Sequence, residues 1–459
     1  MTTDHRFNPF GKATKQIQTS DLGCLKQVTE GWYVEYKREV VNAKAIAKSI
    51  SAFANTYGGW LFYGIDEESK ENSVAGSFPG VENGALDQEL QKIRQAVANS
   101  MNPACHYECI TLAGPCPELE LPEGRSIIVI EVPESKKAPH IHSSGVIYRR
   151  VSDGSEPLPE KDRYSIESLF EKSKKIATSY EDWHDTDPEF SEIEESVTYV
   201  RLMIQPNLWE SPNTEFQLTT SKIRQIFGKA KGKISFINYD TIYPSASGVI
   251  ARHCGTNDHN LYGLTWHIYR DLSGDIIIPI NKYSGSRLEI ASHLARYNFA
   301  ESFLSRIATD NGTNVKVADL NALFNIITSI VELQRSIQTE AGWDSGFFIK
   351  TKLLNAWRTV PFLDIAHFAN NIQLHGLPMC LRKTVTSPPG SAPTTFRKIG
   401  TYPECDYRDE VTLQSTFILS PIAEAYGITF NDFILNQEED AEPFFIQLRS
   451  AGNRSKLPN

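Results

Sequence analysis

The chain has 459 residues, 40% of them hydrophobic and 22% charged, with a net charge of −10. That length exceeds one ordinary core and predicts two domains of an ordinary globular composition. The acidic balance excludes a protein that coats nucleic acid indiscriminately, yet phosphate binding needs only a local basic patch. No apolar run approaches bilayer length, and the longest, such as Ile276–Ile280, are strand-sized. Met1–Thr19 is polar and basic with no apolar core, which predicts a cytoplasmic protein without a membrane partner. Seven cysteines do not suggest a disulfide framework. Cys105, Cys109 and Cys116, with His106 among them, match no common zinc knuckle, so reduced thiols are expected.

In chain order, residues 1–24 read as a flexible arm. Trp32–Arg38 alternates like a strand, and Val41–Tyr57 carries Ile46, Ile50, Phe53 and Ala54 at helical spacing. Gly58-Gly59 closes that helix. Trp60–Ile65 is a strand of bulky residues, and Gly84–Ser100 has Leu86, Leu90, Ile93 and Val97 on one helical face. Ile127–Ile130 is wholly apolar, as a central strand would be. Gly145–Val151 is a further strand ending in a turn at Asp153-Gly154, and Tyr164–Ile176 is a closing helix. These elements predict an α+β protein whose mixed α/β N-terminal domain spans 25–175.

An acidic linker follows over 176–195, containing the run Tyr180–Glu195. A second α/β domain is expected over 196–434. Its strands are Asn260–Tyr269 and Asp275–Asn281, with a turn at Ser273-Gly274. Long helices are predicted over Arg287–Ala308 and Val317–Ala341, and a proline/glycine-rich loop over Ser387–Pro393. A tail over 435–459 begins acidic, at Glu438–Glu442. No internal repeat is visible.

Four features of the first domain fall in one order: Glu30-x4-Glu35-Tyr36-Lys37, Ser51–Gly59 (SAFANTYGG), Phe62–Asp66 (FYGID) and Tyr148-Arg149-Arg150-Val151. This succession resembles the AlbA-like core of the Schlafen family and its bacterial relatives, also called the divergent AAA domain. Tyr36 and Ile65 replace the family's phenylalanine and valine, and the polar positions are intact. The resemblance covers about Glu30 to Gly154, close to a third of the chain.

In Schlafens that cut RNA, the resemblance implies three catalytic carboxylates, here Glu30, Glu35 and Asp66. These would hold one or two divalent ions, Mg²⁺ or Mn²⁺, which suit hard oxygen ligands. Lys37 lies two residues after Glu35, on the same strand face, where it would contact a phosphate or steady the carboxylate. Glu30 and Glu35 differ by an odd number, so a straight strand turns them apart, and Gly31 offers a place for a bend. The bland alternative keeps Glu35–Lys37 as a solvated pair and Asp66 as the start of a turn.

Phosphate contact falls to Arg38, Lys44, Lys48, Lys136, Lys137, Arg149 and Arg150, with Lys161 and Arg163 as further cations. Lys44 and Lys48 share a helix face. Trp32, Tyr33, Tyr36 and Tyr148 interleave with these charges as candidates for base stacking. His140 and His142 share a strand face but have no third metal ligand nearby, and His253, Cys254 and His259 have no trusted spacing. A P-loop requires G-x4-G-K-[ST], and no such run occurs, so ATP is not expected.

Three readings stand open. The chain is a nucleic-acid-binding protein, of RNA or DNA, with a metal-dependent endoribonuclease activity. Alternatively it is a non-catalytic regulator whose aromatic-rich C-terminal domain acts as a sensor, homo-oligomeric or not. An ATP-responsive switch is the third.

Overall fold

The computed structural model describes residues 7–12, 14–69, 71–151, 156–206, 217–230, 237–254, 259–307, 314–343, 346–428, 430 and 442–457. They divide into two compact units, the first ending at Ser179 and the second beginning at Tyr180.

In the first unit, β1 (Val34–Lys37) and β2 (Gly59–Tyr63) run parallel, joined by α1 (Ala43–Ala54). Asn42 starts that helix by accepting a hydrogen bond from the Ala45 amide. A bulged hairpin of β3 (Asp66–Glu67) and β4 (Ala75–Ser77) follows, then β5 (Val81–Glu82) and α2 (Leu86–Ser100). The remaining strands are β6 (Met101–Asn102), β7 (Glu108–Ala113), β8 (Arg125–Val132), β9 (Ile141–His142), β10 (Tyr148–Arg149) and β11 (Leu158–Pro159). The main sheet has the order β1-β2-β8-β5, with β7 also on β8. The apolar run expected at its centre is therefore central, pairing with three neighbours. The strand expected over Gly145–Val151 shortens to two residues, and the turn at Asp153-Gly154 lies outside the described residues.

Strand alternation gives this sheet two buried faces. Leu61, Tyr63, Ile128 and Ile130 meet Ile46, Ile50 and Phe53 of α1 and Ile93 of α2. Trp60, Phe62, Ile127 and Val129 meet Ile17, Leu22 and Leu25 of the N-terminal segment. The arm expected over residues 1–24 is thus corrected. From Phe7 on it is a folded layer with 3-10 turns at Thr14–Gln16 and Thr19–Gln27, while residues 1–6 lie outside the described residues. A few apolar side chains spaced among polar ones were enough to cover one sheet face.

Helix α3 (Arg163–Asp185) runs nine residues past the expected end at Ile176. The linker expected over 176–195 is corrected with it, because this stretch packs into the second unit. Trp183 stacks on Phe396 and donates to Asp275, and Phe190 stacks on Tyr199. Arg201 donates to the Thr186 and Trp183 carbonyls, and Lys352 Nζ donates to the His184 carbonyl while pairing with Asp187 at 2.6 Å.

The second unit is built on a large sheet. Its elements are β12 (Thr198–Gln205), α4 (Thr220–Ala230), β13 (Thr241–Pro244), β14 (Gly248–His253), β15 (Leu264–Tyr269) and β16 (Gly274–Gly285). Then come α5 (Arg287–Leu294), α6 (Ala300–Leu304), β17 (Val315–Asp319), α7 (Leu323–Glu340), β18 (Phe347–Leu354), β19 (Thr359–Phe362) and α8 (Ala366–His375). The chain closes with β20 (Val385–Ser387), β21 (Arg397–Ile399), α9 (Tyr407–Ala425) and α10 (Glu442–Arg454). The strand order is β13-β14-β15-β16-β12-β18-β20, with β17 joining β16 to a parallel β19 and β21 on β18.

Three expectations change here. The helix over Arg287–Ala308 breaks into α5 and α6. The helix over Val317–Ala341 starts only at Leu323, because β-branched Val315 and Val317 extend a strand that ends in the Asp319–Asn321 turn. The tail over 435–459 contains α10, whose Phe444, Leu448 and Ala451 are buried, and the acidic stretch 438–441 lies outside the described residues. No helix among the described residues is long and apolar enough to cross a membrane.

Candidate nucleic-acid interface

The four motifs converge on β1 and the end of α1, but mostly by holding one another. On β1, Val34 and Tyr36 face the N-terminal layer, and Glu35 and Lys37 face α1. Glu35, only 3% exposed, accepts from Ser49 Oγ at 2.9 Å and from Arg150 Nη1 at 2.9 Å. Lys37 Nζ lies 3.3 Å from Oε1, the oxygen that Ser49 also serves, while Arg150 holds Oε2. The Arg150 side chain also donates to the Gly31 and Val34 carbonyls and lies over the Phe53 ring.

Asn55 serves the same assembly. Its amide donates to the His140 and Tyr148 carbonyls and its oxygen accepts from the His140 amide. Thr56 Oγ1 accepts from the Arg150 amide. Gly58 has φ +75°, and a Cβ there would sit 2.7 Å from the Val132 carbonyl oxygen. A Cβ on Gly59 would strike the Phe53 ring. The SAFANTYGG run is thus a packing and hydrogen-bonding motif.

The three expected carboxylates do not share one centre. Glu30 is 5% exposed, with Oε1 accepting from the Tyr36 amide and Oε2 buried without a hydrogen-bond partner. Burial, which outweighs that hydrogen bond, pushes its carboxyl up to about 7, and the nearby Glu67 carboxylate adds to the rise while Lys37 opposes it. Asp66 turns away to pair with Arg38 at 2.5 Å. The β3 bulge sends Asp66 and Glu67 to different partners. Among the described residues, no three His, Cys, Asp or Glu side chains are placed to hold a metal ion. Glu35 has its oxygens engaged by Arg150, Ser49 and Lys37, so the residues present do not fit the divalent centre that the resemblance implies.

Of the cations proposed for phosphate contact, Arg150 requires correction: it is fully buried and spent on Gly31, Val34 and Glu35. Arg149 pairs with Glu160 at 2.6 Å, and Arg38 with Asp66. Lys44 and Lys48 remain at the outer side of α1. Lys44 is exposed, and Lys48 lies 5.5 Å from the Tyr148 ring centroid with a loose 3.5 Å pair to Glu156. Lys136 and Lys137, both half-buried, follow Ser135, whose amide binds the Ala54 carbonyl at the helix end. Lys161 and Arg163 are exposed, the latter paired with Glu167.

The aromatic candidates separate as well. Tyr36 is buried against Phe62 with its hydroxyl on the Val28 carbonyl, so it cannot stack on a base. Trp32 and Tyr33 are half-buried and both meet Tyr57, which is 51% exposed, and Phe7 stacks on Tyr33 at 5.1 Å. Tyr57 was missed because it reads as the end of a helix. Ser49 and Glu67 were also missed, since neither lies in a motif position that announces a polar role.

The imidazoles are structural. His140 and His142 bind the Pro103 and Lys44 carbonyls respectively, and His142 also pairs with Ser144. None of the seven cysteines is in a disulfide. His253 binds the Asn238 carbonyl.

Residues 30–159 match the model of the family described as Schlafen, AlbA_2. The N-terminal third therefore matches the family that its motifs resemble, and the match supports a nucleic-acid-binding role for that unit. No curated protein matches the chain. Among solved structures, the DIP2311 protein from Corynebacterium diphtheriae is similar at 14% identity and a TM-score of 0.20, over 45% of this chain and 31% of that one. The match thus spans about a third of that protein, and it carries no argument for fold or function.

Proposed function

We propose that the N-terminal unit binds nucleic acid without cutting it, along the outer side of α1 and the aromatic cluster at its C-terminal end. The observation that carries this reading is the row formed by Lys44, Lys48 and Tyr148: two cations one helical turn apart beside a half-buried ring. Phosphates would meet the lysines, and Trp32, Tyr33 and Tyr57 offer ring surface to unpaired bases. The loose Lys48–Glu156 pair is exposed, so an incoming phosphate displaces it at small cost.

The metal-dependent endoribonuclease reading is disfavoured by the separate partners of Glu30, Glu35 and Asp66. The ATP-responsive reading has no support either, because Gly58 and Gly59 are required by packing. The second unit is read as a recognition module.

Binding of fluorescein-labelled RNA and DNA to the full chain, measured by anisotropy against salt, tests the proposal. Lys44→Glu/Lys48→Glu is expected to weaken binding at least about tenfold and to flatten the salt slope by about 1 to 2. Unchanged affinity would remove α1 from the interface. Cleavage of structured RNA with Mn²⁺ that disappears in Asp66→Ala would overturn the non-catalytic reading.

A further inference from the structure

The turn entering β19 gathers an aromatic ring and several cations that the fold of the second unit does not use. Trp357 is 49% exposed. Lys316 Nζ lies 5.7 Å from its ring centroid and the Arg358 guanidinium carbon 4.7 Å. Burial, with a contribution from the nearby Lys316 charge, lowers the pKa of Lys282 on β16.

The segment 380–383 runs alongside this turn. The Arg358 amide donates to the Cys380 carbonyl at 2.8 Å, and the Ala356 amide to the Lys383 carbonyl at 3.0 Å. The backbone at Arg382 and Lys383 therefore runs beside this turn, and both residues are exposed. Among the described residues, no carboxylate pairs with Lys282, Lys316, Arg358 or Arg382, and Lys383 has only an exposed 3.8 Å approach to Glu195. Such a gathering within a chain of net charge −10 is locally repulsive, and a bound polyanion relieves it. Asn355 and Arg358 hold left-handed backbone, with φ of 56° and 55°. Non-glycine residues seldom adopt that conformation, and such outliers concentrate at functional sites.

We propose that this surface is a second nucleic-acid site, for single strands, lying wholly on the second unit. An unpaired base stacks against the exposed Trp357 ring beside Arg358, and backbone phosphates meet Lys282, Lys316 and Arg382. The planar indole–guanidinium pair favours a base over an acidic peptide, which brings charge but no ring to stack. The site stands apart from the proposal for α1, and its residues share none with it.

The test uses the full chain and a fluorescein-labelled dodecauridine carrying one 4-thiouridine. Photocrosslinked peptides are expected to include the stretch around Trp357 or 380–383, in wild type and in Lys44→Glu/Lys48→Glu alike. Affinity measured in that double variant is expected to fall a further tenfold or so with Trp357→Ala, the loss carried by one stacked base. Lys316→Gln is expected to lower the salt slope by about 0.7. Crosslinks confined to the first unit would overturn the proposal, as would unchanged affinity in Trp357→Ala. Competition by polyaspartate equal to that by oligouridine would overturn it in favour of an acidic peptide. Far-ultraviolet circular dichroism of Trp357→Phe, which retains a ring, separates lost stacking from lost folding: a folded Trp357→Phe that binds like wild type supports stacking.

Discussion

Arg150 Nη1 and Glu35 Oε2 lie 2.9 Å apart, and the two side chains are 0% and 3% exposed. A motif pair separated by 115 positions is therefore one buried ion pair, completed by the Gly31 carbonyl and Ser49. Removing Arg150 leaves the Glu35 carboxylate buried with only the partly exposed Lys37 ammonium opposite it. Arg150→Ala is expected to cost about 3–5 kcal/mol in urea unfolding, and Arg150→Lys somewhat less, because an ammonium lacks the planar fork. A loss below about 1 kcal/mol for Arg150→Ala would mean that the pair is dispensable.

Glu30 makes stability depend on pH. Its carboxyl is raised from 4.5 to about 7 in the folded chain, so between those values the folded state holds a proton that the unfolded state has released. The stabilisation is complete below about pH 4.5 and is lost as pH rises through 7. Glu30→Gln removes this dependence, and its carbonyl still accepts from the Tyr36 amide. Relative to wild type, the variant is expected to gain up to about 3 kcal/mol between pH 5 and pH 8. Chemical unfolding at the two pH values measures this, and a constant difference between the proteins would refute it.

Asn55→Ala deletes the three hydrogen bonds that hold His140 and Tyr148 to the end of α1. The expected loss is about 2–3 kcal/mol, since the backbone groups left behind are sheltered from water. Hydrogen exchange should quicken first at the amides of His140 and Arg150. Exchange that quickens evenly through the first unit would show that Asn55 does not act locally.

Arg454 anchors α10 by donating to Asp364 Oδ2 from Nε at 2.8 Å, while the Phe299 amide serves Oδ1. Asp364 is almost fully buried. Arg454→Ala is expected to destabilise the second unit by about 3 kcal/mol, and Asp364→Asn/Arg454→Ala by less, because the uncompensated charge is gone. A lower melting temperature for the double variant than for Arg454→Ala would contradict this account.

Local order was readable where periodicity was long and clean. The helix spacing of Ile46, Ile50 and Phe53, and the apolar run of β8, each placed an element correctly. Signals failed where tertiary context outweighed local pattern. Ile17 and Leu22 looked like stray apolar residues in a polar arm until the sheet supplied a face for them. Val315 and Val317 carry helical spacing with the residues after them, but β16 and β19 draw them into a sheet. The site was legible in residue type and less so in role. Glu35 and Arg150 stood out as charged motif positions, yet nothing local reveals that a charge 115 residues away consumes them. Glu67 escaped notice because a bulge, which has no fixed sequence signature, decides which of two adjacent acids meets Glu30.

The acidic stretch after Ser179 also sets where the chain can be divided. A fragment begun at Ser196 would lose the Trp183 and Thr186 carbonyls from Arg201, and both the His184 carbonyl and Asp187 from Lys352. Two cations within the sheet would then face solvent, and Tyr199 would shed its stacked Phe190. A recombinant second unit that keeps its own counter-charges has to start inside α3, at or before Tyr180.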